Sequence, residues 1–165
     1  MSEPWSRPLE VDRLADGGAE VDFAVPLPEL AGLPAGTGGS VAGCARFARA
    51  RGFPTAELTV HGAATLECQR CMQPMSVPID TVVQLALVAS EADVARVPPE
   101  LEPVLAPGGR ISLGELVTEE LLLTLPIVAL HGGSEACAAA PETGAAERGT
   151  ETHKPFARLA DLMKR

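Results

Sequence analysis

The sequence predicts an α+β domain: a β-rich, mostly antiparallel sheet with one main capped helix and a flexible C-terminal extension. Apolar residues alternate with polar ones through long stretches between residues 41 and 87, which predicts strands. Ser112 and Glu115 form a capping box in front of an apolar helical pattern. A chain of 165 residues with 46% hydrophobic residues suits one domain with its own core.

Two short strands are predicted first, at residues 9–14 and 20–25. In the second of these, Val21, Phe23 and Val25 share one face of the strand. Prolines then restrict the following segment to a short helical turn around Leu30, and residues 36–39 form a glycine-rich connector.

The central part of the chain predicts a hairpin. A strand begins at Val41, and after a break at Gly52 and Pro54 a long alternation runs to Cys68. The alternation resumes at residues 75–87. The two long strands are therefore predicted to pair antiparallel, with the Cys68-x-x-Cys71 motif at the tip of the hairpin.

The remainder predicts a loop, a helix and an extension. Residues 90–110 are acidic and rich in proline, and the helix follows at residues 112–124 before Pro126 ends it. The predicted organisation is one domain at residues 1–131, a flexible linker at 132–154 and a short amphipathic helix at 155–165. Such a tethered helix is expected to dock on its own domain or on a partner.

The net charge of −9 restricts the choice of partners. Wide contact with nucleic-acid backbones draws its affinity from lysine and arginine. The excess of acidic over basic residues therefore favours a protein or cationic partner instead. The absence of tyrosine and the single tryptophan leave few aromatic surfaces on which bases could stack.

The sequence also bears on location and on the state of the cysteines. No apolar stretch is long enough to span a bilayer and no secretory signal is evident, so we expect a soluble cytoplasmic protein without a membrane partner. Four cysteines are too few for a disulfide scaffold in a chain of this length. Metal binding or simple burial are their expected fates.

A zinc site is the main candidate for chemistry. Cys68 and Cys71 provide two ligands on a turn, while His131 and Cys137 provide an imidazole and a third thiol after the helix. Four protein ligands would make the zinc structural. The spacing also permits a motif with no special role, and a redox-active pair is disfavoured because Cys68 ends a strand instead of beginning a helix.

Other charged residues are candidates for partner binding. A locally basic stretch contains Arg46, Arg49, Arg51 and Arg70 and could touch RNA phosphates. A charged strand edge that prevents aggregation explains two of the first three arginines equally well. Glu119 and Glu120 lie on the helix. No nucleotide-binding or catalytic motif is present, so we expect neither enzymatic activity nor a small-molecule substrate.

Four motifs in order resemble the YceD family of bacterial and plastid proteins. They are Leu66 to Pro74 around the cysteine pair, the helix motif from Leu116 to Val128, the pair His131 and Cys137, and Pro155 to Leu159 near the C-terminus. The chain departs from the common pattern at Thr118, where an acid is frequent, and by one extra residue between His131 and Cys137.

The resemblance implies a non-enzymatic role in accumulation of large-subunit (23S) ribosomal RNA, through its synthesis, processing or stability. It also implies that Cys68, Cys71 and Cys137, with His131, are structural metal ligands. Because the chain is acidic, we expect it to bind a basic ribosomal protein or large-subunit assembly factor through its acidic segment at residues 91–120, with the tail as an anchor. The alternatives are a zinc- or thiol-dependent interaction module unrelated to ribosomes and a protein that binds RNA directly.

Overall fold

The computed structural model describes residues 4–132 and Cys137. The predicted C-terminal helix at residues 155–165 and nearly all of the predicted linker lie outside the described residues. None of the described helices is long and apolar enough to cross a membrane.

The fold is α+β with a mostly antiparallel sheet, as the sequence predicts. Seven strands occur within residues 4–132: β1 Leu9–Glu10, β2 Glu20–Pro26, β3 Gly38–Ala50, β4 Phe53–Glu67, β5 Pro74–Val88, β6 Glu102–Leu105 and β7 Arg110–Ile111. The helices in the same range are α1 Val11–Gly17, α2 Glu91–Val94 and α3 Leu113–Thr124.

Five strands form the main sheet in the order β2-β3-β4-β5-β6. The first four are antiparallel neighbours, whereas β6 runs parallel to β5 at the edge. The β4–β5 hairpin is confirmed: its pairing runs from Thr55↔Ala86 to Glu67↔Pro74, so the two cysteines of the motif lie at its tip. β1 and β7 pair separately as a two-stranded sheet.

The core lies between the main sheet and α3. Leu116, Val117 and Leu121 of this helix are fully buried, as are Leu58 and Val60 of β4. The predicted capping box is present, since the Ser112 side chain accepts from the backbone N–H of Glu115 and the Glu115 carboxylate accepts from that of Ser112. α3 therefore begins at the predicted position and lies over the sheet that carries the hairpin.

The predicted strand at residues 9–14 is wrong beyond its first two residues. Residues from Val11 onward form α1, in which Val11 and Ala15 are buried, one helical turn apart. Gly18 ends the helix in the left-handed conformation with φ 58°, and its N–H bonds to the carbonyls of Leu14 and Ala15. The apolar spacing of three and four residues was the signal for this helix.

The predicted loop at residues 90–110 contains more regular structure than expected. It holds α2, β6 and the start of β7. Pro103 lies within β6, which is an edge strand where the missing N–H of proline costs no ladder hydrogen bond.

Candidate metal centre

The tip of the β4–β5 hairpin is a tight turn that brings Cys68 and Cys71 together. The N–H of Cys68 donates to the carbonyl of Gln73 and the N–H of Met72 donates to the carbonyl of Cys68, both at 2.9 Å. Met72 adopts the left-handed conformation with φ 58°, which few residues other than glycine tolerate. The turn is therefore held by its own backbone, with both thiols on one side of it.

The second half of the site comes from the segment after α3. Pro126 ends the helical pattern, and the chain then runs back to the hairpin tip, where the carbonyl of Ala129 accepts from the N–H of Gln69 at 2.9 Å. Ala129 is itself buried. This contact places His131 beside the cysteine turn.

The structure brings all four predicted ligands together. The sulfurs of Cys68 and Cys137 lie 3.8 Å apart, and Nδ1 of His131 lies 3.4 Å from the Cys71 sulfur and 3.6 Å from the Cys137 sulfur. The four donor atoms all lie within 4.8 Å of one another. Cys137, which the sequence places within the predicted linker, is thus in contact with the domain.

These distances fit zinc. With Zn–S bonds of about 2.3 Å and Zn–N bonds of about 2.0 Å, a tetrahedron has sulfur–sulfur edges of about 3.8 Å and sulfur–nitrogen edges of about 3.5 Å. The observed Cys68–Cys137 separation is 3.8 Å, and the two sulfur–nitrogen separations from His131, 3.4 Å to Cys71 and 3.6 Å to Cys137, lie on either side of the ideal edge. The donor set of three thiols and one imidazole is also one that structural zinc sites use.

A backbone carbonyl orients the imidazole of His131. Nε2 of His131 lies 3.3 Å from the carbonyl oxygen of Pro74, the first residue of β5. A carbonyl can only accept, so Nε2 carries the proton and Nδ1 presents its lone pair toward the sulfurs. Metal-bound histidines commonly have such an outer partner. This role of Pro74 has no signal in the sequence, because it depends on a main-chain carbonyl that is distant in sequence from His131.

The thiols influence one another's protonation. Burial raises the pKa of Cys68. Hydrogen bonds from the backbone N–H groups of Cys71, His131 and Arg70 and from the Cys71 side chain lower it by more, so that the net pKa is about 5. Burial, followed by the hydrogen bonds with Cys68 and Cys71, raises the pKa of Cys137. One thiolate therefore forms easily and makes the next harder to form, an arrangement that a bound cation would relieve.

Two of the predicted partner-binding arginines have carboxylate partners within the domain. Arg46 lies 3.2 Å from Glu20 and 3.4 Å from Glu57, and Arg49 lies 2.8 Å from Asp12 and 2.7 Å from Asp16. These pairs are exposed and add little stability. They do reduce the positive field that either arginine presents to a phosphate.

Arg70 differs from the other two arginines. It is exposed at the hairpin tip, and no carboxylate among residues 4–132 lies within ion-pair distance of it. A partner could therefore contact Arg70 without breaking an ion pair among residues 4–132, whereas contact with Arg46 or Arg49 would break one.

The two neighbouring glutamates of α3 lie in different environments. Glu119 is exposed, whereas Glu120 is 8% exposed and its Oε1 accepts from the hydroxyls of Thr81 at 2.8 Å and Thr124 at 3.1 Å. Glu120 therefore links α3 to β5, and Glu119 is the one of the pair that faces solvent.

Replacing Glu120 by alanine is expected to lower the free energy of unfolding by about 1–3 kcal/mol, because the Thr81 hydroxyl would lose its acceptor in a partly buried position. Urea denaturation measures this. Glu119→Ala is the matched control and should stay within about 0.5 kcal/mol of the unmodified protein, since its side chain is exposed. Equal effects of the two substitutions would contradict the structural role of Glu120.

A second group of potential donor atoms lies at the start of the main sheet. Glu20, Asp22 and Cys44 are close together on β2 and β3. Burial and the hydrogen bond to Glu20 raise the pKa of Cys44 to about 11, and Arg46 pairs with the same glutamate. Cys44 therefore keeps its proton, and this group lacks the cluster of thiols seen at the hairpin tip.

Comparison with protein families decides what kind of protein carries this site. The model of the family described as large ribosomal RNA subunit accumulation protein YceD matches residues 56–163. This range includes β4 from residue 56 onward, all of β5 and α3, and all four donors. The chain belongs to the YceD family. Membership of this family connects the protein with the large ribosomal RNA. No solved structure matches the chain.

Proposed function

We propose that this protein is a non-enzymatic, cytoplasmic ribosome biogenesis factor that supports the synthesis, processing or stability of large-subunit ribosomal RNA, with a fold tied together by structural zinc. The match to the YceD family supports the role. The observation that carries the zinc is the four-donor cluster of Cys68, Cys71, His131 and Cys137, with separations that match a tetrahedron.

The zinc in this proposal has a structural role. Four protein donors fill a tetrahedral site and leave no position for a substrate or an activated water. The ion would join the hairpin tip to the segment that follows α3, two parts of the chain that are distant in sequence. It would thereby fix the position of the outer end of the sheet relative to the helix.

The proposed partner is a basic ribosomal protein or large-subunit assembly factor. The chain carries a net charge of −9, and Arg46 and Arg49 are each paired with two carboxylates of the same domain. Both facts favour a cationic protein over an RNA backbone, whose binding requires cationic groups that can displace counterions. Exposed acids such as Glu119 are the proposed points of contact.

Depletion of the protein in cells is expected to lower the ratio of mature large-subunit to small-subunit ribosomal RNA. This ratio is measured on total RNA by electrophoresis and by probes for precursor ends. Expression of the unmodified protein should restore the ratio, whereas Cys71→Ser should not, because it removes one metal donor. An unchanged ratio in fully depleted cells would refute the proposed function. It would not bear on whether the protein binds zinc.

A further inference from the structure

The outer surface of α3 and the segment after it expose an unusual number of large apolar side chains. We call this surface the apolar shoulder. Its members are Leu122 45% exposed, Leu123 75%, Ile127 98%, Val128 54% and Leu130 38%. Single exposed apolar residues are common, but a contiguous group of this kind marks a site that something covers.

A groove adjoins the apolar shoulder along α3. Its volume is about 540 Å³, and Leu122 belongs to both the groove and the shoulder. Trp5 and Leu30 contribute apolar side chains to its lining, and Glu29, Glu115 and Glu119 contribute carboxylates. A lining that combines apolar side chains with carboxylates fits an amphipathic segment that carries positive charge.

We propose that the apolar shoulder and this groove bind the C-terminal segment of the same chain, residues 154–165. Phe156, Leu159 and Met163 are spaced three and four residues apart, so that in a helix they form one apolar face. The segment is basic within an acidic chain, since it contains Lys154, Arg158, Lys164 and Arg165 and a single acid, Asp161. Its apolar face matches the shoulder, and its positive charge matches the glutamates that line the groove.

The tether is long enough and starts close by. Cys137 lies against Cys68 and His131, seven residues after the shoulder residue Leu130, and 18 residues follow before Phe156. A random coil of that length has a root-mean-square end-to-end distance of about 23 Å. Tethering of this kind gives an effective concentration on the order of millimolar. A segment with an intrinsic Kd of about 0.1 mM would therefore be docked about nine-tenths of the time.

The C-terminal segment of the same chain is favoured over a separate protein because it combines tethering with charge complementarity. A free partner would need to supply the same apolar spacing and positive charge without the gain in effective concentration. The match to the YceD family also runs through residue 163, so that it includes residues 154–163 of this segment together with the shoulder.

Amide hydrogen exchange of the full-length protein tests the proposal. Phe156→Asp places a charge on the apolar face of the segment and is expected to release it, so that amides at residues 127–130 exchange about tenfold faster. Ala157→Asp adds the same charge on the opposite side of the predicted helix and should leave exchange unchanged. A synthetic peptide of residues 154–165 should restore slow exchange to the Phe156→Asp protein.

A surface variant provides the complementary measurement. Ile127→Asp should abolish binding of the peptide, while Val82→Asp, at a position on β5 that is 63% exposed, should not. Metal content should stay the same in all four variants, which separates this proposal from the zinc site. If Phe156→Asp and Ala157→Asp give exchange equal to that of the unmodified protein, the segment does not cover the shoulder, and the surface is left for another molecule.

Discussion

Replacing Cys68 by serine is expected to abolish stoichiometric zinc binding and to destabilise the fold severely. Cys68 is fully buried, and its sulfur lies 3.8 Å from that of Cys137. Structural zinc contributes an apparent binding free energy on the order of 10 kcal/mol in small zinc modules. That is comparable with the whole stability of a typical domain, about 5–15 kcal/mol. Elemental analysis of protein never exposed to chelator, together with thermal denaturation, measures both effects.

The same experiment has an internal control in Cys44. This cysteine lies on β3, outside the cluster of four donors, and its thiol donates to Glu20. Cys44→Ser should therefore keep one zinc per chain and a melting temperature close to that of the unmodified protein. The zinc site would be refuted by metal-free protein that melts identically with and without EDTA.

The sequence was sufficient for the parts of the fold that depend on local patterns. Alternating apolar residues on both sides of residues 68–74 predicted the long hairpin, and the capping box of Ser112 and Glu115 predicted the start of α3. α1 was missed because seven residues contain only two helical turns of apolar spacing, too few to outweigh a strand pattern. β6 was missed because it is short, contains Pro103 and pairs with a strand that precedes it by a crossover.

The candidate site also has one part that local sequence predicts and another that depends on contacts between distant segments. The spacing of Cys68 and Cys71 was enough to predict that their thiols converge, because a turn of this length leaves few alternatives. The approach of His131 depends on the hydrogen bond between Gln69 and Ala129, a contact between distant segments that spacing does not encode. The pairing of Arg49 with two aspartates likewise requires α1, which places Asp12 and Asp16 on one face.

The arginine prediction shows why charge counts along the sequence differ from charge in space. Residues near Arg46 in sequence are mostly neutral or basic, but strand pairing places Glu20 and Glu57 directly opposite it. The local excess of positive charge is thus neutralised by neighbours from β2 and β4. Any electropositive patch must be judged after the register of the strands is known.

Replacing Gly43 by alanine is expected to destabilise the protein by about 3 kcal/mol or more, since the interior of a close-packed sheet cannot move aside easily. Gly43 lies in the middle of β3, opposite Val60, and a Cβ atom there would overlap the carbonyl oxygen of Thr59 and lie 2.9 Å from Cζ of Phe23. Because β4 continues into the cysteine turn, a shift of its backbone would also disturb the metal donors. Chemical denaturation followed by metal analysis measures both consequences.

Gly17→Ala, at a helix end with no atom near the added Cβ, is the matched control and should be neutral or slightly stabilising. A Gly43→Ala protein as stable as the control would show that β3 and β4 can separate enough to admit a methyl group, contrary to the close approach of the two strands.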